Sequence, residues 1–318
     1  MNQKKLGLFE AIGAVLLWAT LGVGFKVMTN VSNSFTPALL IGITATLALF
    51  LYLVFREKLS VAVGEFKKQP FFFIMVGILG LGVQQVLYLK AYSLQSASST
   101  VIVYYIYPLL MVFFSSVFFK KPIPRKAWIC ILTGFLGICI VMFQNNGQQF
   151  SFNLGIFVTL AAAACWAAFS VLIGHRKFEV ETGIFLLNFF GTLFLIALVP
   201  FFGISMAMTP MNLTIILYLG IFTTGLAFIL WTRALRHISI QICANLALLI
   251  PALSILLITL VLKEKITIAH LAGLALITAS ILVHMHSPSR NNQEVRLLRN
   301  NRILDSSDIP SAGTKAEK

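Results

Sequence analysis

Two stretches of this chain read almost in parallel: Gly77–Pro108, GILGLGVQQVLYLKAYSLQSASSTVIVYYIYP, and Gly220–Pro251, GIFTTGLAFILWTRALRHISIQICANLALLIP. They stand 143 residues apart, and that offset aligns Gly77 with Gly220, Gly82 with Gly225, Lys90 with Arg233, Ala91 with Ala234 and Pro108 with Pro251. Aromatic Tyr88 falls on aromatic Trp231. A second alignment at an offset of 148 residues, shifted by loop length, sets Gly7 and Trp18 on Gly155 and Trp166. A recurrence at fixed spacing marks a duplicated structural unit.

Composition identifies the solvent of that unit. With 58% hydrophobic and 11% charged residues, and a mean hydropathy of +0.92, a water-soluble domain could not cover its apolar surface. Lipid tolerates such a surface. Apolar runs of about the length a bilayer requires occur near 8–27, 34–55, 71–90, 98–119, 127–143, 153–174, 182–203, 213–232, 240–262 and 267–286. These predict an all-α membrane protein of ten transmembrane helices. Lys4 and Lys5 before the first run resemble a signal peptide, but no A-x-A-like site comes after it, so the run is read as a retained span.

Orientation comes from Lys and Arg, which cytoplasmic loops retain. On the ten-span reading, 20 of the 24 lie on one side and only Lys26, Lys90, Lys263 and Lys265 on the other. Both termini are therefore expected in the cytoplasm. Five spans per unit is an odd number, so the second unit enters the membrane from the opposite side. The expected organisation is two inverted five-helix repeats, 1–148 and 149–286, and then a disordered basic cytoplasmic tail, 287–318, which lacks aromatic residues. Inverted repeats offer two near-equivalent packings, the architecture that alternating access uses. The net charge of +14 does not imply a nucleic-acid partner, because the basic residues sit in short loops rather than along one face.

The ordered, duplicated motifs resemble a known family. Leu6-Gly7 to Trp18 with Leu154-Gly155 to Trp166, and Tyr88 through Ala91 to Pro108 with Trp231 through Ala234 to Pro251 and Glu264, are similar to the drug/metabolite transporter superfamily, specifically its ten-span EamA type. The resemblance covers about residues 6 to 286. It implies a transporter of small metabolites, often amino acids and related compounds, with a central cavity lined by spans one, three, four, six, eight and nine, in the bacterial inner (plasma) membrane. It departs from the family at Lys121, the first-half counterpart of Glu264, where the pattern often has an acid.

Within the spans the chemistry is sparse. No Asp precedes Asp305, and by the expected boundaries only Glu10 and Glu264 come near a span, both at ends. This excludes a paired-aspartate protease, no HExxH motif or Ser/His/Asp arrangement replaces it, and the chain reads as a non-enzyme without cofactor or metal. It also argues against proton coupling through a mid-membrane carboxylate. The four cysteines, Cys130, Cys139, Cys165 and Cys243, lie singly in apolar runs and read as packing residues. His284 and His286 point apart on a helix and make no metal site.

Aromatic and neutral polar residues remain for a substrate. Gly77, Leu81, Gln84 and Tyr88 share one helical face, and Gly220, Thr224, Ala227 and Trp231 repeat it. Gln84 either orients a polar substrate group or makes an interhelical bond. Trp18, Trp166 and Trp231 are rings of a cavity or of the interfacial belt. Tyr104 and Tyr105 precede Pro108, and Asn245 precedes Pro251; both prolines are expected helix kinks. Lys26 and Lys90 either snorkel to the interface or meet a substrate carboxylate. The leading expectation is a carrier of amino acids or similar zwitterions. An organic cation held by cation–π contacts is the alternative, and a lipid-handling or scaffolding membrane protein without a polar cavity is the reading from another class. The expected partners are a small-molecule substrate and the bilayer, with a homo-oligomer left open.

Overall fold

The computed structural model describes residues 3–28, 33–120, 125–144, 154–205, 208–238, 246–247 and 249–285. Asn245, Lys121, His286 and the tail from 287 lie outside the described residues, as does the start of the expected ninth span. All regular structure among the described residues is helical, as hydrocarbon demands of a chain whose backbone polar groups must be satisfied internally. Among the described residues seven helices are long and apolar enough to cross a membrane: α1 (Gln3–Met28), α2 (Phe35–Phe55), α3 (Pro70–Leu94), α4 (Ala97–Phe119), α6 (Leu154–Gly174), α7 (Val180–Phe202) and α8 (Pro210–Ala234, continuing to His237). Shorter apolar stretches lie in α5 (Arg125–Gln144), α9 (Leu249–Leu262) and α10 (Ile268–Met285). Ile268 at 86% exposure and Phe55 at 83% belong to an outer apolar surface that only lipid would solvate.

Helix irregularities occur in α3, α4, α8 and α9; in the last of these, Ile258–Leu262 is π-helical without glycine or proline. The middle of α3, Ile78–Val83, is π-helical, and so is Leu219–Leu226 in α8. The 143-residue offset of the sequence carries the first of these onto residues 221–226. Helix α4 breaks between Tyr104 and Tyr107, where Pro108 cannot supply the N–H that would bond the carbonyl of Tyr104.

The helices pair in a regular scheme. α1 packs on α8 as α6 packs on α3; α2 packs on α8 as α7 packs on α3; α9 packs on α1 as α4 packs on α6; α2 meets α7, and α5 meets α10. Small residues permit these approaches. A Cβ on Gly77 would lie 2.6 Å from the Leu187 carbonyl oxygen of α7, and one on Gly220 would lie 1.8 Å from Thr44 Oγ1 of α2. Gly77 and Gly220, the small residues that the sequence offers for close helix approach, thus lie at helix crossings.

Two boundaries differ from those read in the sequence, with consequences for charge. Glu179 accepts a hydrogen bond from the Thr182 N–H at 2.9 Å and caps α7, so the helix begins at Val180 and Glu181 lies in its first turn, 6% exposed. Helix α8 continues to His237 and so includes Arg233. The expectation that only Glu10 and Glu264 approach a span is therefore corrected: Glu181 is a third acid, buried and paired.

Candidate transport cavity

At the centre of the bundle α1, α3, α4, α6, α8 and α9 surround a cavity enclosing about 800 Å³ of non-atom space, its mouth included. Among the described residues eighteen line it; eight of these are aromatic, and none is Asp, Glu, Lys, Arg or His. A polar solute inside must therefore be held by neutral groups and ring faces.

Of the residues singled out in the sequence, Trp18, Gln84, Tyr88, Tyr104, Tyr105 and Trp166 meet here. Tyr88 stacks on Tyr104 with centroids 4.0 Å apart, and Gln84 Nε2 donates to the Tyr104 hydroxyl at 2.8 Å. The Tyr92 hydroxyl donates to that of Tyr88 at 3.2 Å, leaving the Tyr88 proton to point elsewhere. Trp18 is oriented by its indole N–H, which donates to the Thr223 carbonyl of α8 at 3.0 Å. Trp166 stacks on Phe169 and meets Phe228 edge-on. Trp231 is not among the lining residues; it lies against Trp18, centroids 5.4 Å apart. Asn245 lies outside the described residues. Pro108 opens the second piece of α4, and Pro251 is buried near the start of the described part of α9.

Sequence reading missed several lining residues. Phe25 stands seven positions after Trp18, on the same face of α1, a spacing that could have found it. Phe228 stands four positions after Thr224, a helical spacing that could also have found it, whereas Thr223 lies inside the π-helical stretch Leu219–Leu226 and carries no such signal.

Charged residues gather at the two ends of the bundle. At the end that the Lys/Arg count assigns to the cytoplasm, Glu181 accepts hydrogen bonds from Arg233, from Lys58 at 2.5 Å and from the Tyr52 hydroxyl at 3.1 Å. Lys58 also bonds Glu179 at 2.9 Å. The bonds to Glu181 and then Glu179 hold the Lys58 ammonium above its ordinary range. Burial pushes the Glu179 carboxyl upward, but the Thr182 N–H and Lys58 outweigh it and the net shift is downward. Nearby, Glu10 pairs with His237 at 2.8 Å, where α1 and α8 approach so closely that a Cβ on Gly7 would sit 2.5 Å from that of His237.

At the opposite end Lys26 neither snorkels nor faces the cavity mouth: its ammonium donates to the carbonyls of Tyr92 and Gln95, each at 2.9 Å. Glu264 receives the backbone N–H groups of Ala97 and Ser98 at 2.9 and 3.1 Å and the Ser98 hydroxyl at 2.8 Å. His270, which the sequence did not single out, is buried against the Ser99 hydroxyl at 3.0 Å.

A polytopic helical membrane protein with a neutral, aromatic cavity at its centre belongs to the class of small-molecule carriers. The model of the EamA-like transporter family matches residues 5–143 and again 153–285, and the chain belongs to that family. An uncharacterized transporter of Clostridium kluyveri is 24% identical over 229 residues, 69% of this chain and 73% of the relative. One from Bacillus subtilis is 24% identical over 295 residues, covering 88% and 96%; one from Archaeoglobus fulgidus is 24% identical over 65% and 75%. A solved crystal structure superposes with a TM-score of 0.62 at 21% identity over 87% of this chain and 96% of its own, a likeness of fold.

Proposed function

We propose that this chain is a ten-span carrier of small metabolites, built as two inverted five-helix repeats, that works by alternating access around the central cavity. The repeats are read as residues 1–148 and 149–286, with 287–318 as a basic cytoplasmic tail; the two matches of the family model, 5–143 and 153–285, support that division. The observation that carries the reading is the location of the cavity. It lies where helix contacts remain the same when the two halves are exchanged, α1 on α8 as α6 on α3 and α9 on α1 as α4 on α6. The π-helical stretches of α3 and α8 fall at the repeat offset, which supports the duplication, while that of α9, Ile258–Leu262, has no counterpart in α4. A bundle of that kind has two packings of similar energy, one opening to each side. The protein is read as an integral protein of the bacterial inner membrane with both termini cytoplasmic, in keeping with the Lys/Arg count.

Amino acids or related zwitterions are the proposed substrates. Their ammonium would meet the ring faces of Trp18, Tyr88 and Trp166, and their carboxylate the hydroxyls of Tyr104 and Thr224 with the Gln84 amide. One observation favours a second reading. Among the described residues no charged side chain lines the cavity, which favours a quaternary or sulfonium cation that needs only rings, worth up to about 2 kcal/mol per desolvated contact. A lipid-handling or scaffolding role would leave the polar cavity unused.

The test is thermal unfolding of the purified protein in detergent against a metabolite library, because a ligand of the folded state raises its apparent stability. Choline, glycine betaine and the neutral isostere 3,3-dimethylbutanol are run beside the amino acids. Stabilisation by amino acids and betaine supports the zwitterion reading, and by choline alone the cation reading. Stabilisation by neither, with lipids alone effective, refutes a metabolite carrier.

A further inference from the structure

Helices α3 and α4 are joined by only two residues, Gln95 and Ser96, and this turn lies at one end of the helix pair from which Tyr88, Val101 and Tyr104 line the cavity. Elements outside the hairpin grip the turn from two sides. Lys26 of α1 bonds the last carbonyls of α3, those of Tyr92 and Gln95. Glu264, from the connection between α9 and α10, takes the first N–H groups of α4 and the Ser98 hydroxyl. Each charge meets the helix end of opposite partial charge, the cation at a C-terminus and the anion at an N-terminus. Both also satisfy backbone groups that a helix end leaves without partners.

The same turn contains a destabilising feature. Thr159 spends its single hydroxyl proton on the Gly155 carbonyl at 2.7 Å, so Gln95 must donate to it, at 2.8 Å through Nε2. That leaves Gln95 Oε1 buried with no partner among the described residues. A buried acceptor without a donor is costly, and exposure to water would relieve it. The closed turn is thus held by charge-assisted bonds and opposed by a desolvated amide, as a turn built to open requires. The sequence has no acidic counterpart at the other end, where Lys121 stands at the position that the repeat offset pairs with Glu264.

We propose that Lys26 and Glu264 are positioning residues of the transport cycle: together they clamp the α3–α4 turn over the cavity end opposite the Lys/Arg-rich face, and opening to that side requires their release. The proposal rests on the carrier reading above. An interaction present in one state only shifts the equilibrium by its own differential energy, so loss of either residue favours the state open at the clamped end.

The experiment uses the full chain in proteoliposomes, with its four cysteines replaced by serine and a thiol introduced by Val101→Cys, a cavity position on α4. A membrane-impermeant maleimide is applied from each side in turn. Labelling from the clamped side is expected to rise roughly ten-fold in Glu264→Gln and in Lys26→Met, the change expected when a charge-assisted bond is lost from one state. Labelling from the opposite side is expected to fall. Lys26→Arg should return both rates to those of the parent, as a merely structural role would not require, and Lys90→Met on the exposed face of α3 should change neither. Unchanged labelling in the two clamp variants, or a rise from both sides at once, overturns the proposal. If compounds that stabilise the protein block labelling but the clamp variants do not alter it, the clamp is refuted and the carrier reading stands. A thiol unreactive from both sides in every variant refutes the carrier reading and the clamp together.

Discussion

Glu181→Gln tests whether the charge cluster at the Lys/Arg-rich end holds helices together. Glu181 has an 8% exposed side chain and accepts from Arg233, Lys58 and Tyr52, so it joins α7 to α8, to the loop after α2 and to α2 itself. Glutamine keeps the shape and one acceptor but removes the charge, which weakens each of three charge-assisted bonds by about half, or roughly 1 kcal/mol apiece. Lys58 keeps Glu179 and Arg233 keeps the Tyr52 hydroxyl at 2.7 Å, which returns part of that loss. The expected net cost is about 2–3 kcal/mol, or a fall in melting temperature of roughly 3–5 °C for a chain of this size. The assay is thermal unfolding in detergent, read by intrinsic tryptophan fluorescence. Glu65→Gln is the control, because its partner Lys68 is 68% exposed and such pairs contribute less than about 1 kcal/mol. Adding Arg233→Met to Glu181→Gln should recover part of the loss, since the remaining damage is a charge without its partner. Equal melting temperatures for Glu181→Gln and Glu65→Gln would refute the reasoning.

Removing a cavity ring, Tyr88→Ala, should weaken binding of whichever compound stabilises the protein by about 0.5–2 kcal/mol, whereas Phe113→Ala on the exposed face of α4 should leave binding unchanged; calorimetric titration compares them. Trp231→Ala, behind Trp18, is expected to lower melting temperature more than affinity, and the reverse order would place its ring in the site. Gly77→Ala should cost about 1–3 kcal/mol, because its Cβ would press on a backbone oxygen that cannot rotate away, while Gly64→Ala, with nothing within 4 Å, should be neutral or stabilising in thermal unfolding. The Lys58–Glu179 pair predicts a plateau in stability against pH. Glu179 is lowered from 4.5, so its contribution is present above that value and lost as pH falls through the folded-state value. Lys58 is raised from 10.5, so its contribution is present below that value and lost as pH rises through the folded-state value. Lys58→Met should flatten both limbs outside about pH 5 to 10, and a profile identical to the parent's would contradict the assignment.

Composition and period decided the class of this protein before any contact was known. Runs of apolar residues at bilayer length permit only helices, since a backbone in hydrocarbon must bond to itself, and the duplicated spacing from Gly77 to Pro108 and from Gly220 to Pro251 carried the order of the helices with it. Six of the eight proposed site residues reach the cavity; Gln84 and Tyr88 share a face there because both lie in the α-helical part of α3 after its π-helical stretch. The features hidden from sequence depended on phase or on distance. Thr223, inside the π-helical stretch of α8, reaches the cavity, and the helices that Gly77 and Gly220 meet, α7 and α2, are set by packing between segments far apart in sequence. Glu181 was hidden by a small shift of a helix start that the Glu179 cap determines. Lys26 and Glu264 stand 238 residues apart in the chain and meet at one turn only because α1 and the α9–α10 connection pack over it. A charge's partner is set by proximity in the folded bundle, which no local pattern encodes; a helix's solvent is set by its own side chains, which the pattern states outright.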